Sequence, residues 1–136
     1  MASYAIADIR AIGPFYAPKL KSAGIRSTSK LLQRTRTPKL RKQLSAQAGI
    51  PPENVLKFAN LADLMRVPGV AADYAELLQA AGVDTVKELR RRNPANLVAR
   101  LAEVNRKKKY VDLVPGEKRV ARWIQATGAL EPMIRY

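Results

Sequence analysis

Two stretches of the sequence, offset by about 58 positions, resemble each other closely enough to decide the fold. The first, IRAIGPFYAPKLKSAGIRSTSKL, runs from Ile9 to Leu31, and the second, VPGVAADYAELLQAAGVDTVKEL, runs from Val67 to Leu89. The matching pairs are Tyr16-Ala17 with Tyr74-Ala75, Leu20 with Leu78, Ala23-Gly24-Ile25 with Ala81-Gly82-Val83, and Leu31 with Leu89. An ordered set of matches at one offset indicates an internal repeat, which we place at about 5–62 and about 63–126.

Each copy of the repeat carries its own signals for two successive helices. A short turn leads into a segment whose apolar residues recur with a period of 3.6, as in an amphipathic helix. Gly24 and Gly82 follow this segment, where a glycine ends a helix at low steric cost by adopting a left-handed conformation. Ser27 and Thr85 come three residues later and are suited to cap the next helix.

Later start signals predict two further helices in each copy. Thr37-Pro38 and Asn93-Pro94 each place a capping residue before a proline at the first helical position. A last helix opens at Pro51-Pro52-Glu53 in the first copy and at Val114–Glu117 in the second. The apolar faces of these last helices are Val55, Phe58, Ala59 and Ala62, and Val120, Trp123, Ile124 and Thr127.

No alternating strand pattern of useful length is present in the sequence. We therefore predict an all-α fold in which two degenerate repeats and additional helices form one compact, pseudo-two-fold domain. The domain covers 1–136, and 127–136 is predicted to be a short C-terminal tail.

The positive charge is large and unevenly placed. Lys and Arg number 25 against 11 Asp and Glu, which gives a net charge of +14. Residues 1–50 carry a net charge of +9 and residues 89–136 carry +8, whereas residues 51–88 carry −3. Two basic segments around an acidic one predict a polyanionic partner, and nucleic acid is the first candidate.

The composition argues against several other classes of protein. Cysteine and histidine are absent, which excludes disulfides and thiolate metal sites and removes the commonest general base. The sequence lacks a Walker-type loop, a nucleophile elbow and a pair of carboxylates suited to acid–base catalysis. It also lacks a secretory signal and any apolar run of about 20 residues. We expect a cytoplasmic protein that is not an enzyme and has no cofactor, metal, membrane partner or small-molecule substrate.

The turns before the two matched helices resemble the helix-hairpin-helix motif, hydrophobic-x-Gly-hydrophobic-Gly. The signature Gly13-Pro14-Phe15-Tyr16-Ala17 is similar to that of an uncharacterised bacterial family of helix-hairpin-helix-like domains, and this resemblance covers essentially the whole chain. It implies a tandem domain whose turn N–H groups approach a phosphate. The corresponding turn residues are Ala11, Ile12 and Gly13, and Gly69, Val70 and Ala71.

Each turn keeps only one of the two glycines of the motif, because Ala11 and Ala71 stand at the other positions. Alanine restricts the backbone and adds a methyl group where a phosphate would approach. The first turn is surrounded by basic residues, namely Arg10, Lys19, Lys21 and Arg26. The second is surrounded by acidic residues, namely Asp73, Glu76 and Asp84. We therefore expect the first turn to be the better candidate for phosphate contact, with a purely structural role for both turns as the alternative.

Four clusters supply the remaining candidate contacts to nucleic acid. They are Arg34, Arg36, Lys39, Arg41 and Lys42 around the Pro38 helix; Arg90, Arg91 and Arg92; Arg106, Lys107, Lys108 and Lys109; and Lys118, Arg119 and Arg122 on the last helix. Any one of these clusters is equally typical of a solvated helix surface. Phe15, Phe58, Trp123 and the tyrosines are candidates for stacking on bases, although most of these aromatic residues are expected to lie in the core.

Together these features predict a non-catalytic protein that binds nucleic acid through phosphates, independently of sequence, with DNA favoured over RNA. Association with the nucleoid is one setting for such a function. Two alternatives remain open. One is a scaffold that keeps the helix-hairpin-helix fold and binds a protein partner, and the other binds ribosomes or structured RNA.

Overall fold

A computed structural model describes residues 3–136 and contains eight α-helices and no β-strand in that part of the chain. The helices are α1 (Gly13–Ser22), α2 (Thr28–Thr35), α3 (Pro38–Ala48), α4 (Pro52–Leu64), α5 (Ala72–Ala80), α6 (Val86–Arg90), α7 (Pro94–Lys107) and α8 (Glu117–Ala126). Two 3-10 helices, Ile6–Asp8 and Thr127–Ala129, flank them, and one isolated bridge joins Ala5 to Ser27. The all-α prediction is confirmed, while residues 1 and 2 of the predicted domain lie outside the described part.

The predicted capping residues begin the helices as expected. The Ser27 side chain accepts a hydrogen bond from the N–H of Lys30 at 3.2 Å, and Thr85 accepts one from Glu88 at 3.3 Å. The side chains of Thr37 and Asn93 likewise accept from residues 40 and 96, ahead of α3 and α7. Each cap satisfies one of the N–H groups that have no partner within the helix.

Helices α1 and α5 end in the same way. Gly24 and Gly82 have φ values of +85° and +92°, and the next residue closes the helix in each case. The N–H of Ile25 donates to the carbonyl of Leu20, and the N–H of Val83 donates to that of Leu78, both at 2.9 Å. This is the Schellman arrangement, which satisfies carbonyls at the helix end.

Two arginines reinforce these helix ends at corresponding places. Arg34 donates from Nη1 to the carbonyl of Ala23 at 3.0 Å, and Arg92 donates from Nη2 to the carbonyl of Ala81 at 3.2 Å. Both pairs are related by the offset of about 58 on which the repeat was inferred. These local contacts are those that a repeat predicts, although equivalence of the two halves as a whole stays a prediction.

Helix α4 lies at the centre of the core, in contact with α2, α3 and α5. Its predicted apolar face is confirmed, since Val55, Phe58, Ala59 and Ala62 are all buried. Burial continues around the whole helix from position 58 to position 64, including Asn60 and Asp63. A helix buried on all sides is typical of the interior of a fold, and here it joins the two halves of the chain.

A buried polar network lies at the end of α4. Arg66 Nη1 is 2.7 Å from Asp63 Oδ1, and both side chains are almost fully buried. Asp63 Oδ2 accepts the N–H of Val86, at the start of α6, at 2.9 Å. Arg66 Nη2 donates to the carbonyl of Glu131 at 2.7 Å. The network therefore connects α4, α6 and the C-terminal segment.

The segment 127–136, predicted as a short tail, packs across both halves of the chain. Arg135 donates its N–H to the carbonyl of Arg36 at 2.8 Å, and the Tyr136 hydroxyl lies 2.8 Å from Asn60 Oδ1 as its donor. Arg90 donates to the carbonyls of Thr127 and Leu130 at 2.6 and 2.9 Å. These hydrogen bonds order the segment along the surface.

Candidate nucleic-acid interface

Most of the positive charge lies on the surface without an acidic partner. Within residues 3–136, ion pairs shorter than 4.0 Å involve only Arg10, Arg66, Arg100, Lys107 and Lys109 among the basic residues. Four of these five pairs are exposed, and exposed pairs contribute little to stability. The cationic surface is therefore largely available to an anionic partner.

One concave part of this surface, which we call the arginine groove, lies where α6 meets α7. It has a volume of about 520 Å³ and is lined by Arg91, Arg92, Asn93, Asn96, Leu97 and Arg100. Three guanidinium groups and two amides supply hydrogen-bond donors, and the lining contains no acidic residue. Arg92 is half-buried and uses Nη2 for the carbonyl of Ala81, so Arg91 and Arg100 are the more exposed of the three arginines. Arg100 lies 3.5 Å from Glu103 outside the groove, but both side chains are about half exposed. Phosphate oxygens fit such a groove, because guanidinium groups bind them with paired hydrogen bonds.

The local sequence explains why these side chains converge. Helix α6 ends at Arg90, and Asn93 caps α7 three residues later, so Arg91 and Arg92 lie in the short connection between the two helices. The N-terminus of α7 adds the positive end of its helix dipole to the groove. Arg91 and Arg92 were expected from the sequence, whereas Asn93 was expected only as a cap, and Asn96 and Arg100 were missed. Arg90, the third member of the predicted cluster, lies outside the lining and donates to the carbonyls of Thr127 and Leu130. The signal for Asn96 was its position in the first turn of α7, beside three arginines.

A second depression, which we call the central cleft, brings the start of the chain close to the basic run after α7. The predicted contacts Arg10, Lys108 and Lys109 lie along it, from both halves of the chain, together with Lys57, which was not predicted. Its volume is about 680 Å³, and its lining also includes Glu53, Glu76 and Asp84. The mixture of charges makes the central cleft a poorer site for phosphate than the arginine groove.

Two acidic residues, Asp73 beside the central cleft and Glu76 in its lining, differ in how they affect its potential. Arg10 donates a hydrogen bond to Asp73 at 2.7 Å, and this contact raises the pKa of Arg10. The guanidinium stays protonated, and the negative charge of the Asp73 carboxylate offsets its positive charge. Glu76 has one carboxylate oxygen, Oε2, that is buried without a hydrogen-bond partner. Burial raises the pKa of Glu76, which the positive charges of Arg10, Lys57 and Lys108 oppose.

The two predicted hairpin turns differ in what lies beside their glycines. Gly13 has a φ of +70°, a side chain added there would meet nothing within 4 Å, and α1 has no side-chain cap. Gly69 has a φ of +88°, but an added Cβ would lie 3.3 Å from Nε1 of Trp123. A side chain added at the first turn would therefore meet empty space, whereas one added at the second would meet the indole of α8, although Gly69 itself is exposed and Gly13 is half-buried. Ile12 and Val70 are buried within the two turns, whereas Ala11 is half-buried and Ala71 is exposed.

The structure corrects the prediction for Arg41. This side chain is only 9 % exposed and donates from Nη1 to the carbonyl of Thr35 at 2.9 Å. Arg41 lies one turn before the buried Leu44 on the inner face of α3, which is why it points away from solvent. It therefore stabilises the fold and is removed from the predicted cationic surface.

Other predicted contacts lie on separate parts of the surface. Arg119 packs over the ring of Tyr74 and donates to its hydroxyl at 2.8 Å. Lys19 lies over the ring of Phe15, with Nζ 5.0 Å from the ring centre. Arg34 holds Gln47 as well as the end of α1. The remaining exposed candidates are Lys21, Arg26, Arg36, Lys39, Lys42, Arg106, Lys107, Lys118 and Arg122.

These features define an all-helical protein with an exposed basic surface and a groove lined by arginines. A family model described as "Domain of unknown function (DUF4332)" matches residues 10–130, and the chain belongs to this family. No curated protein and no solved structure matches the chain. In the part that the structure describes, no helix has the length and apolar character needed to cross a membrane. The same part contains no group of three or more acidic side chains placed to hold a metal ion.

Proposed function

We propose that this protein binds nucleic acid through its phosphates, without catalysing a reaction, and that the arginine groove is the principal contact. The observation that carries this proposal is a concave surface with three guanidinium groups, two amides and no carboxylate in its lining. DNA is favoured over RNA as the partner, in keeping with a cytoplasmic protein associated with the nucleoid.

Binding of this kind is expected to be independent of base sequence and sensitive to salt. Contacts to phosphates fix the position of a protein on nucleic acid but carry no sequence information. Each neutralised phosphate releases counterions, so the affinity falls as the salt concentration rises. The exposed cations outside the groove add to this long-range attraction.

We also propose that the two turns are degenerate helix-hairpin-helix turns with different roles. The first supports binding, because α1 carries Lys19 and Lys21 and no acidic residue, whereas α5 carries Asp73 and Glu76; neither helix has a side-chain cap. The second holds α5 against α8, because the indole of Trp123 lies beside Gly69 and packs on the Tyr74 ring with 5.2 Å between ring centres. Loss of one glycine from each turn is in keeping with this division.

The test compares two double variants with equal changes in net charge. Arg91→Gln/Arg100→Gln removes two arginines from the groove, and the control Lys30→Gln/Arg135→Gln removes two exposed cations elsewhere. Fluorescence anisotropy on a random duplex, over a range of salt concentrations, gives affinity and salt dependence. The groove variant is expected to lose about tenfold or more in affinity, and its salt slope is expected to fall by about 2.

The control variant is expected to lose much less affinity, and thermal melting shows whether both variants remain folded. Equal losses in the two variants would mean that only the net charge matters. The groove would then have no special role. Absence of micromolar binding by the parent protein at low salt would contradict the proposal itself.

A scaffold function is the second candidate, and the position of Trp123 beside the second turn favours it. Arg10, at the first turn, is paired with Asp73, and both contacts are expected in a domain whose turns no longer bind DNA. Capture of one stoichiometric protein partner that survives nuclease treatment would support this alternative. Loss of that partner after nuclease treatment would show that nucleic acid mediates the contact and would support the nucleic-acid function instead.

A further inference from the structure

We infer that Phe15 is a stacking platform for an unpaired base, so that the nucleic acid bound by this protein includes a single-stranded segment. This inference rests on the proposed function and specifies the class of nucleic acid.

Phe15 and Tyr136 are the only exposed aromatic residues within residues 3–136. Their exposed fractions are 67 % and 68 %, whereas Phe58 and Trp123 are 1 % and 3 % exposed. Tyr136 is tethered through its hydroxyl to Asn60, which leaves Phe15 as the candidate for stacking.

A chain of aromatic contacts connects the Phe15 ring to the core. It lies in the first turn of α1, between Pro14 and Pro18, and meets the Tyr16 ring edge-to-face at 4.9 Å. The Tyr16 ring in turn packs on the buried ring of Phe58 at 5.6 Å. An aromatic side chain held in this way loses little conformational entropy when a ligand stacks on it.

The surroundings of Phe15 are cationic. Lys19 places Nζ 5.0 Å from the ring centre, Lys21 is exposed on the same helix, and α1 contains no acidic residue. Exposed aromatic rings beside basic side chains are the usual means of binding single strands, because every base has a face that stacks and every nucleotide has a phosphate. In a duplex the base faces are already stacked on each other, so the Phe15 ring gains a partner only where bases are unpaired.

The test measures the affinity for an oligo-dT strand and for a duplex of the same length, with Phe15→Leu as the variant. Leucine keeps an apolar side chain but removes the ring. Leu113→Ala is the control, because Leu113 is another apolar side chain that is 78 % exposed. We expect Phe15→Leu to weaken binding of the single strand about tenfold and to leave duplex binding nearly unchanged. The control is expected to change neither affinity.

Phe15→Trp provides a second readout that does not depend on loss of binding. Its added fluorescence is expected to be quenched by oligo-dT, beyond the response of the parent protein, whose only tryptophan is the buried Trp123. Duplex is expected to quench it less.

Several outcomes would overturn the inference. If the parent protein binds duplex but Phe15→Leu keeps its full affinity for the single strand, the stacking role fails and the proposed function stands. Equal losses on the two nucleic acids would also contradict stacking. If Phe15→Leu instead abolishes self-association or binding to anionic vesicles, with nucleic-acid affinity unchanged, Phe15 serves a protein or lipid contact. If the parent binds neither nucleic acid, both proposals fall together.

Discussion

At the scale of single residues, Gly69 and Trp123 show how a turn comes to require glycine. The backbone at Gly69 has a φ of +88°, a conformation that side chains disfavour, and the indole Nε1 lies 3.3 Å from where a Cβ would be. Two independent requirements therefore favour glycine there. Gly13 meets only the first of them, because its φ is +70° and its surroundings are empty.

This contrast gives a prediction for stability. Gly13→Ala is expected to lower the free energy of unfolding by about 1 kcal/mol, the usual cost of a left-handed conformation for a residue with a side chain. Gly69→Ala is expected to cost more, since Trp123 must also move. Urea unfolding followed by Trp123 fluorescence measures both variants, and equal losses would show that the indole adjusts freely.

Residue-scale features were predictable from the sequence where they depend on near neighbours. The caps at Ser27 and Thr37 and the left-handed Gly24 follow from the few residues around them, and the structure confirms them. The roles of Arg34 and Arg41 depend on carbonyls brought close by the fold. Counting charges along the sequence could not distinguish these arginines from free ones.

At the scale of elements, α4 connects the parts of the fold through both apolar and polar contacts. Its end holds the ion pair of Asp63 with Arg66, and Asp63 also accepts the N–H of Val86 at the start of α6. Removing one partner of a buried pair leaves the other charge without compensation, which is costly in the interior.

Asp63→Asn is therefore expected to lower the free energy of unfolding by about 3 kcal/mol or more. The matched control is Asp112→Asn, which breaks the ion pair with Lys109 at 3.0 Å on the exposed surface. That change is expected to cost less than about 1 kcal/mol. Chemical denaturation of both variants makes the comparison, and a small loss in Asp63→Asn would mean that the amide replaces the carboxylate in the network.

The apolar face of α4 was predictable, because its period appears in the sequence. The buried Asn60 and Asp63 were not, since polar residues on a helix are normally assigned to the solvent side. Asn60 is buried because the segment 127–136 covers it, and Asp63 because Arg66 and α6 complete its hydrogen bonds. Tyr136 and Val86 are distant in sequence from Asn60 and Asp63. Arg66 is only three residues from Asp63, but the helical pattern gives no sign that this ion pair is buried.

At the scale of the whole molecule, the two halves meet at the central cleft and are tied together by the segment 127–136. The sequence indicated two basic segments and an acidic middle, but it did not show which charges face each other. The structure places Arg10 against Asp73, and it places the basic run after α7 beside the acidic middle. Part of the charge asymmetry thus joins the halves, and the arginine groove is left free of acids.

The central cleft also makes stability depend on pH through Glu76. Burial raises the pKa of Glu76 above its ordinary value of 4.5, even though Arg10, Lys57 and Lys108 oppose the rise and Asp73 adds to it. Between 4.5 and the pKa in the folded state, the folded protein holds a proton that the unfolded chain has released. The stability contributed by this group therefore falls as the pH rises through that window.

Glu76→Gln removes this titration while keeping the size of the side chain. The variant and the parent are expected to be similarly stable below the window, where Glu76 is neutral in both states. Above it, the variant is expected to be the more stable, because no charge has to be buried with Oε2 unpartnered. Thermal melting from pH 4 to pH 8 measures the difference, with Glu53→Gln as a control that removes an exposed carboxylate from the same cleft. A difference that stays constant with pH would show that folding does not shift the pKa of Glu76. A parent protein more stable than Glu76→Gln at pH 8 would show that the surrounding cations stabilise Glu76 as an anion.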